Sequence, residues 1–420
     1  MPTIDDPRLI RCADRDRLSA ALVECRHNTL STFAAYQESL RASALQIPYS
    51  DQFNPPLWEL GHVGWFQEYW IGRNPQRGRG ISADPQAPRT APGVPDADSL
   101  YDSSRVEHAS RWHLRLPDAA ATRDYLARTL EQTLRILARA DDGTAGHGSL
   151  YFAWLALTHE DMHHEAALYM AHALGIRLEA GRPLPAQMLD LRDPKELSYE
   201  RTRFAFGSAP GDFVFDNELM ARSVDVDRFR IDRTPVDNRA FAAFVADGGY
   251  DRSRHWTAAG WAWREHIRAS WPRFWRPAGS GWQSYWFGQW TALDETAPVV
   301  NLTLREAQAW CHWAGRRLPT EIEWELAALT APAQPAAGAG AGPIRFGQVW
   351  EWTASTFEPY PGFAPHPYRD YSLPWFGTRQ VLRGGSFAAH PRMRHPRYRN
   401  FFTADRNDIF AGFRSCARSE

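Results

Sequence analysis

The sequence predicts two domains of different class, a helical bundle followed by an α+β domain that is rich in loops. The length of 420 residues exceeds what one ordinary hydrophobic core accommodates. Apolar side chains recur at helical spacing between residues 14 and 185, whereas short apolar runs alternate with Gly, Pro and Asn from about residue 200 onward. We therefore predict a bundle over residues 1–185, a linker over 186–200 and the second domain over 201–420.

Four helices are predicted in the bundle. Apolar side chains at helical spacing mark the first, over residues 15–44. Asn54 is the predicted N-cap of the second, because the two prolines that follow it fit a first helical turn. A loop rich in Gly, Pro, Arg and Asp follows over residues 74–100. The last two helices are predicted over residues 119–140 and 148–174, which completes a bundle of the kind that often binds metal.

The second domain is predicted to contain short strands and two helices. Apolar runs between turn residues predict strands at residues 204–206, 224–226 and 229–231. Helical spacing of apolar side chains predicts helices over residues 238–247 and 304–314. The stretch 331–342, composed largely of Ala, Pro and Gly, is predicted to be a surface insertion.

The composition argues against nucleic acid or a membrane as partner. The formal net charge is −1, from 48 basic and 49 acidic side chains, so no charge excess attracts a phosphate-rich surface. The arginines between residues 392 and 406 are expected to bind carboxylates or to form internal ion pairs. No apolar run approaches the ~18 residues that span a bilayer, and the four cysteines lack paired spacing. A soluble, cytoplasmic protein that acts on small molecules is expected.

The segment His159-Glu-Asp-Met-His163-His-Glu165, together with the upstream His62, is a candidate metal site. His159 and His163 are four residues apart, so on a helix both rings project from one face about one turn apart. Two imidazoles so placed can bind one metal ion, and His62 from another helix would complete a set of three nitrogen ligands. Such a set leaves the opposite face of the ion open to substrate and dioxygen. The alternative is that these histidines are ordinary surface or core residues.

Several phrases of the second half resemble the formylglycine-generating-enzyme (sulfatase-modifying-factor) family. They are Pro298-Val-Val-Asn301, Ala314-Gly-Arg-Arg-Leu-Pro-Thr-Glu321, Val349-Trp-Glu-Trp-Thr353, Val381-Leu-Arg-Gly-Gly-Ser-Phe387 and Asn407-Asp-Ile-Phe-Ala-Gly-Phe-Arg414. The first half resembles a DinB-like four-helix bundle. That pairing, with Leu60-Gly-His-Val-Gly-Trp65 and the two later histidines, resembles the sulfoxide synthases of ergothioneine biosynthesis. The resemblance implies a DinB-like bundle followed by a domain of the formylglycine-generating-enzyme and C-type-lectin-like fold.

The same resemblance implies a mononuclear non-heme Fe(II) enzyme. It would use O2 to join sulfur, or in a sister family selenium, to the imidazole carbon of hercynine, the trimethylated betaine of histidine. The implied iron ligands are His62, His159 and His163. Tyr368, the first tyrosine of a Tyr-x-x-Tyr element, would be catalytic as donor of a proton or hydrogen atom to oxygen, because a phenol has both an acidic proton and an oxidisable ring.

Substrate contacts are also implied. Tyr371 and Asn400 match positions that line the hercynine pocket, and Arg406 matches an arginine that binds the carboxylate of the thiol substrate. Phe402, however, stands where the γ-glutamylcysteine-using members carry an aspartate that holds the ammonium group. A phenyl ring attracts an ammonium only weakly, by ~0.5–1 kcal/mol at exposed sites. An amino-acid thiol is therefore disfavoured as donor.

The segment over residues 100–112 resembles the selenoneine synthase branch, whose donor is a selenosugar. The further donor contacts predicted on this basis are Phe401, Phe402, Arg105, Asp102 and Arg111. The main functional prediction is thus selenoneine formation through a C–Se bond, and the alternative is an ergothioneine-type synthase that joins hercynine to γ-glutamylcysteine or cysteine. A non-catalytic binding module and a hydrolytic zinc bundle of the DinB type are the alternatives from other classes.

Overall fold

The computed structural model describes residues 11–141, 148–178, 195–331 and 343–418. Its first domain is helical, as predicted. The helices within this part of the chain are α1 (Arg15–Ser39), α2 (Pro56–Gln67), α3 (Ala97–Tyr101), α4 (Ala119–Leu137) and α5 (Tyr151–Leu174). The four long helices pack against one another and bury apolar side chains in a common core. The predicted loop over residues 74–100 contains only a 3₁₀ turn, Arg77–Ser82, before α3 begins.

The start of α2 differs from the prediction. Pro55, not Asn54, is the residue that precedes the helix, and no side chain caps it. The side-chain amide of Asn54 instead donates a hydrogen bond to the Glu59 carboxylate at 2.5 Å. The predicted cap is wrong because the Asn54 side-chain oxygen, the acceptor that a cap would use, accepts from the Arg111 guanidinium at 2.7 Å. By contrast, Asp14 and Asp118 cap α1 and α4 through their carboxylates.

The second domain combines short strands with four helices in its described part. The helices are α6 (Asn238–Ala246), α7 (Ala258–Ile267), α8 (Leu304–Trp313) and α9 (Glu321–Leu329). The strands are β1 (Glu196–Tyr199), β2 (Thr202–Phe206), β3 (Arg222–Val226), β4 (Phe229–Asp232), β5 (Trp275–Ala278), β6 (Gly281–Trp286), β7 (Gln289–Ala292), β8 (Arg316–Arg317), β9 (Trp350–Thr356), β10 (Gln380–Arg383), β11 (Asn400–Phe402), β12 (Ala411–Gly412) and β13 (Cys416–Ala417).

These strands form small sheets, as an α+β domain with much loop is expected to do. Two sheets have four strands each, in the orders β1-β4-β13-β8 and β11-β10-β9-β12. In the second of these, β11 pairs antiparallel with β10, and β12 runs parallel to β9. This sheet matters for the site because β11 carries three residues that line the cavity described below.

The predicted strands and helices of this domain are all present. The three predicted strands fall within β2, β3 and β4, and the two predicted helices coincide with α6 and α8 to within one residue. Residues 186–194 of the predicted linker and 332–342 of the predicted insertion lie outside the described residues. The end of that linker range forms β1, whose main chain pairs with β4.

Buried polar contacts join the two domains. Asp161 on α5 accepts two hydrogen bonds from the Arg392 guanidinium, at 2.7 and 3.1 Å, and both side chains are 1% exposed. Glu165, one turn later, accepts hydrogen bonds from the Trp350 indole at 2.8 Å and from the Ser386 hydroxyl. Arg392 and Arg399, which lies against Glu321, thus form internal ion pairs, as expected for this arginine cluster.

The structure also bears on the state of the cysteines and on membrane-spanning helices. All four cysteines are free thiols. Within the described ranges, no helix is both long and apolar enough to cross a bilayer.

Candidate metal centre and adjoining cavity

The structure brings His62, His159 and His163 together inside the bundle. His62 comes from α2, and the other two come from successive turns of α5. One ring nitrogen from each lies within 4.8 Å of the others. Among the described residues this is the one group of three or more His, Cys, Asp or Glu side chains with such a spacing. The structure therefore brings histidines from two helices together at one site, as predicted.

Hydrogen bonds fix the orientation of two of these rings. The Nδ1 atom of His62 donates to the carbonyl oxygen of Tyr101 at 2.7 Å, and that of His163 donates to the Glu59 carboxylate at 2.5 Å. Since both partners only accept, each Nδ1 carries the proton and each Nε2 keeps a free lone pair. Such outer partners are typical of histidines that bind metals.

The third ring is held by packing. Phe66 stacks face to face on His159, with ring centroids 3.5 Å apart and an interplanar angle of 4°. The Nδ1 atom of His159 is buried and has no hydrogen-bond partner among the residues that the structure describes. The neighbouring rings of Trp58 and Trp65 stack on His62. Aromatic rings thus pack against the imidazoles of His62 and His159.

The electrostatics favour neutral imidazoles at His62 and His159. Burial, reinforced by the neighbouring His163, lowers the pKa of His62 to about 3. Burial and the two other histidines also lower the pKa of His159 well below its ordinary value. The pKa of Glu59 falls to about 2, because His163 and the Asn54 amide outweigh the upward effect of burial. Neutral nitrogen donors with an ionised outer carboxylate suit a divalent transition metal.

Tyr368 lies beside the histidines. Its ring centroid is 6.3 Å from that of His159 and 4.9 Å from that of Phe66. Burial, with smaller contributions from Asp370 and Asp102, raises the pKa of its hydroxyl above the ordinary range. Tyr371 points elsewhere, since it donates to the Tyr398 hydroxyl at 3.1 Å. The sequence left open which tyrosine faces the metal site, and the geometry favours Tyr368.

A cavity of about 410 Å³ opens next to the histidines, between the two domains. His163 and Glu59 form part of its wall on the bundle side. Five of the predicted substrate contacts line it: Tyr371, Asn400, Phe401, Phe402 and Arg406. The volume suits small-molecule ligands, which occupy pockets of roughly 300–1,000 Å³.

Arg406 is already paired in this cavity. Its guanidinium donates to both carboxylate oxygens of Asp408, at 2.6 and 2.7 Å, and lies 4.8 Å above the Phe402 ring. Asn400 accepts from the Phe401 main-chain N–H at 2.9 Å, which directs its carbonyl oxygen toward the strand. The predicted carboxylate-binding arginine is therefore partly neutralised by a neighbour two residues away.

Three predicted substrate contacts do not line this cavity. Arg105 forms a surface ion pair with Asp102 at 3.2 Å, and its side chain is 70% exposed. Arg111 lies behind the site, where it donates to the Asn54 carbonyl oxygen at 2.7 Å and covers the ring of Trp58 at 4.1 Å. Each guanidinium instead contacts a partner within the bundle.

Asn54 and Glu59 also belong to the site, although neither is among the predicted site residues. Arg111, Asn54, Glu59 and His163 form a continuous chain of hydrogen bonds that ends on a candidate ligand. A signal was available, since Glu59 lies one helical turn before His62 in an otherwise apolar helix.

Comparisons with known proteins match both domains. A sulfatase-modifying factor enzyme 1-like domain matches residues 189–337 and 345–419, and the DinB superfamily matches residues 21–167. These matches confirm the predicted class of each domain.

Similar proteins extend over nearly the whole chain. A hercynine oxygenase of Mycolicibacterium smegmatis is 34% identical over 88% of this chain and 92% of its own length. A hercynine oxygenase of Mycobacterium tuberculosis is 35% identical over 87% of this chain and 91% of its own. A formylglycine-generating enzyme of Thermomonospora curvata is 30% identical but covers only 50% of this chain. The similarity to hercynine oxygenases thus spans the bundle, the second domain and the cavity between them.

Proposed function

This chain belongs to the hercynine oxygenase family, and we propose that it uses iron and dioxygen to join a sulfur donor to hercynine as a sulfoxide. The observation that carries this proposal is the histidine triad beside a cavity of about 410 Å³, in a chain that matches these relatives over more than nine-tenths of their length. In the overall reaction, hercynine loses the hydrogen of its imidazole carbon and the donor loses its S–H hydrogen. O2 accepts four electrons, one oxygen atom enters the sulfoxide and the other leaves as water.

His62, His159 and His163 are the proposed iron ligands. His62 and His163 would bind through Nε2, because their Nδ1 atoms are held by Tyr101 and Glu59. Imidazole is a suitable ligand for Fe(II). When bound, the iron supplies the site at which dioxygen and the sulfur donor are activated. The protein's contribution is to orient His62 and His163 through their Nδ1 hydrogen bonds and to keep the buried rings of His62 and His159 neutral.

Tyr368 is the proposed proton donor. Its buried hydroxyl stays protonated at neutral pH, since its pKa is raised. The position of its ring beside His159 and Phe66 supports this role. Tyr371 and Asn400 line the cavity and are proposed to contact hercynine there.

The experiment is a donor screen with the Fe(II)-loaded protein, hercynine and O2, read by mass spectrometry. Cysteine and γ-glutamylcysteine are tested separately, with an anaerobic reaction and His159→Ala as controls. We expect a product whose mass equals hercynine plus thiol plus one oxygen minus two hydrogens. Oxygen-independent turnover, or no coupled product with any donor, would refute the proposal and favour a hydrolytic or non-catalytic bundle.

A selenium donor is the second candidate, and two features of the cavity favour it. Phe402 provides no carboxylate for an ammonium group, and Asp408 already occupies the Arg406 guanidinium. An amino-acid donor would need both ionic contacts, whereas a selenosugar needs neither. Including a selenosugar in the same screen, in direct competition with γ-glutamylcysteine, distinguishes the two candidates by the ratio of C–Se to C–S product.

A further inference from the structure

A buried strap runs beside the segment that carries Tyr368 and Tyr371. The strap comprises residues 213–218, each at most 8% exposed. The tyrosine loop comprises residues 366–372, which form a single 3₁₀ turn, Arg369–Tyr371, and otherwise lack regular structure. A loop with so little regular structure needs outside contacts to hold one conformation.

Asp216 of the strap contacts both ends of this loop. One carboxylate oxygen accepts the main-chain N–H of His366 at 3.3 Å, and the other accepts the Ser372 hydroxyl at 2.5 Å. The residues so held lie two positions before Tyr368 and four positions after it. One carboxylate therefore fixes the two points between which the loop must turn.

Neighbouring strap residues reinforce the same contact. The Asn217 side-chain amide donates to the Ser372 hydroxyl at 3.0 Å, so that hydroxyl both donates and accepts. The ring of Phe215 stacks on Tyr371, with centroids 4.6 Å apart. The loop is thus bound to the strap at three residues.

The strap is itself held in place by buried contacts with other parts of the protein. Glu218 accepts two hydrogen bonds from the Arg11 guanidinium at 2.6 and 2.9 Å, and the Asn217 carbonyl accepts one from Arg399 at 2.8 Å. Phe213 packs on Trp154 of α5, the helix that carries His159 and His163. The strap therefore ties the tyrosine loop to the helix that holds two of the three histidines.

We propose that Asp216 is a positioning residue that sets the place of Tyr368 relative to the histidine triad. This inference rests on the proposed function only for the catalytic role of Tyr368. The contacts of Asp216 with His366 and Ser372, called the clamp below, do not depend on that function. Burial raises the pKa of Asp216 to about 6, so the carboxylate is ionised at neutral pH and accepts from both donors at once.

The first test is hydrogen exchange of the tyrosine loop, followed by mass spectrometry in the full chain. Asp216→Ala should speed exchange in residues 366–372 by about tenfold or more, since a lost hydrogen bond to a charged group weakens local order. Asp232→Ala is the matched control: Asp232 is also a mostly buried carboxylate that accepts a serine hydroxyl, that of Ser415 at 2.5 Å. It should leave exchange in the loop unchanged.

The second test is steady-state turnover with hercynine. Asp216→Ala should lower kcat about tenfold or more while the amount of bound iron stays that of the wild type, because the loss lies in Tyr368 and not in the ligands. Ser372→Ala should do the same more weakly, and the double variant should be no worse than Asp216→Ala. Should Asp216→Ala fail to fold, Asp216→Asn and Ser372→Ala each remove part of the clamp and are expected to act in the same direction.

The outcomes separate the two claims. Unchanged exchange in residues 366–372 for every clamp variant would overturn the inference, as would equal losses of kcat in Asp216→Ala and the Asp232→Ala control. Absence of hercynine turnover in the wild type would instead refute the proposed function, and the exchange measurement would still decide whether Asp216 holds the loop.

Discussion

Glu59→Gln should weaken metal binding without unfolding the bundle. The Glu59 carboxylate accepts two hydrogen bonds, from His163 Nδ1 and from the Asn54 amide, both at 2.5 Å. A glutamine has only one acceptor oxygen, so it can serve only one of these donors. If that oxygen stays with His163, the new amide nitrogen faces the Asn54 nitrogen, donor against donor.

Asn54 cannot relieve this conflict by turning over. Its carbonyl oxygen accepts from the Arg111 guanidinium at 2.7 Å, and a flip would present a second donor to that arginine. The substitution therefore leaves at least one donor unsatisfied. Removal of an outer partner of a metal ligand typically lowers metal affinity about tenfold to a hundredfold, which corresponds to about 1.4 to 2.8 kcal/mol.

The assay is anaerobic titration of the apoprotein with Fe(II), with Co(II) as an absorbing substitute. Glu68→Gln is the matched control, because Glu68 is also a buried carboxylate with two donors, the Tyr125 hydroxyl and the Gly93 N–H, but lies away from the triad. We expect it to lower stability and leave metal affinity unchanged. Adding Arg111→Met to Glu59→Gln should restore part of the affinity, because Asn54 is then free to turn. Wild-type affinity in Glu59→Gln, or an equal loss in the control, would show that the hydrogen-bonded chain does not act on the metal.

Three other changes test other parts of the argument. Tyr368→Phe should lower kcat about 10²- to 10⁴-fold by removing a proton donor, measured as coupled product per O2 consumed; undiminished kcat would exclude that role. Arg392→Met should lower the unfolding free energy measured by urea denaturation by about 3–5 kcal/mol, since it leaves the Asp161 carboxylate buried without its ion-pair partner. The control Arg135→Met, at an exposed ion pair, should change it by at most about 0.5 kcal/mol. Asp216→Asn should flatten the pH dependence of the unfolding free energy. Burial raises the pKa of Asp216 in the folded state from 3.8 to about 6. The wild type therefore loses stability as pH rises through this range, whereas the variant, which has no carboxyl group there, does not. Urea denaturation on either side of the range checks it, and equal slopes would contradict the assignment.

The sequence predicted the parts of the fold and site that depend on local spacing. The four-residue interval between His159 and His163 fixes their common face on any helix, so their meeting did not depend on tertiary detail. Helix α9 was missed although Thr320 and Glu323 form a capping box that is visible in the sequence. Helix α7 was also missed, although Thr257 precedes it as an N-cap whose hydroxyl accepts the Gly260 N–H.

A long-range contact explains why Arg111 lies outside the cavity lining. Arg111 was predicted to bind the donor, but its partner Asn54 is 57 residues away, and only the folded bundle brings them together. Asp408, in contrast, follows Arg406 by two residues, so their pairing was readable from the sequence. Asp216 is 156 residues from Ser372. No local sequence pattern indicates that Asp216 contacts the tyrosine loop, so only the folded structure shows this contact.

One helix explains why the metal site and the domain interface depend on each other. Residues two apart on an α-helix point about 200° apart. On α5, His159 and His163 therefore face α2 and the aromatic pocket, while Asp161 and Glu165 face the second domain. The two ligands and the two interface carboxylates therefore alternate over less than two turns of helix, and His163 and Glu165 both reach the cavity wall. Docking of the second domain consequently sets both the shape of the cavity and the rotation of the helix that carries two of the ligands.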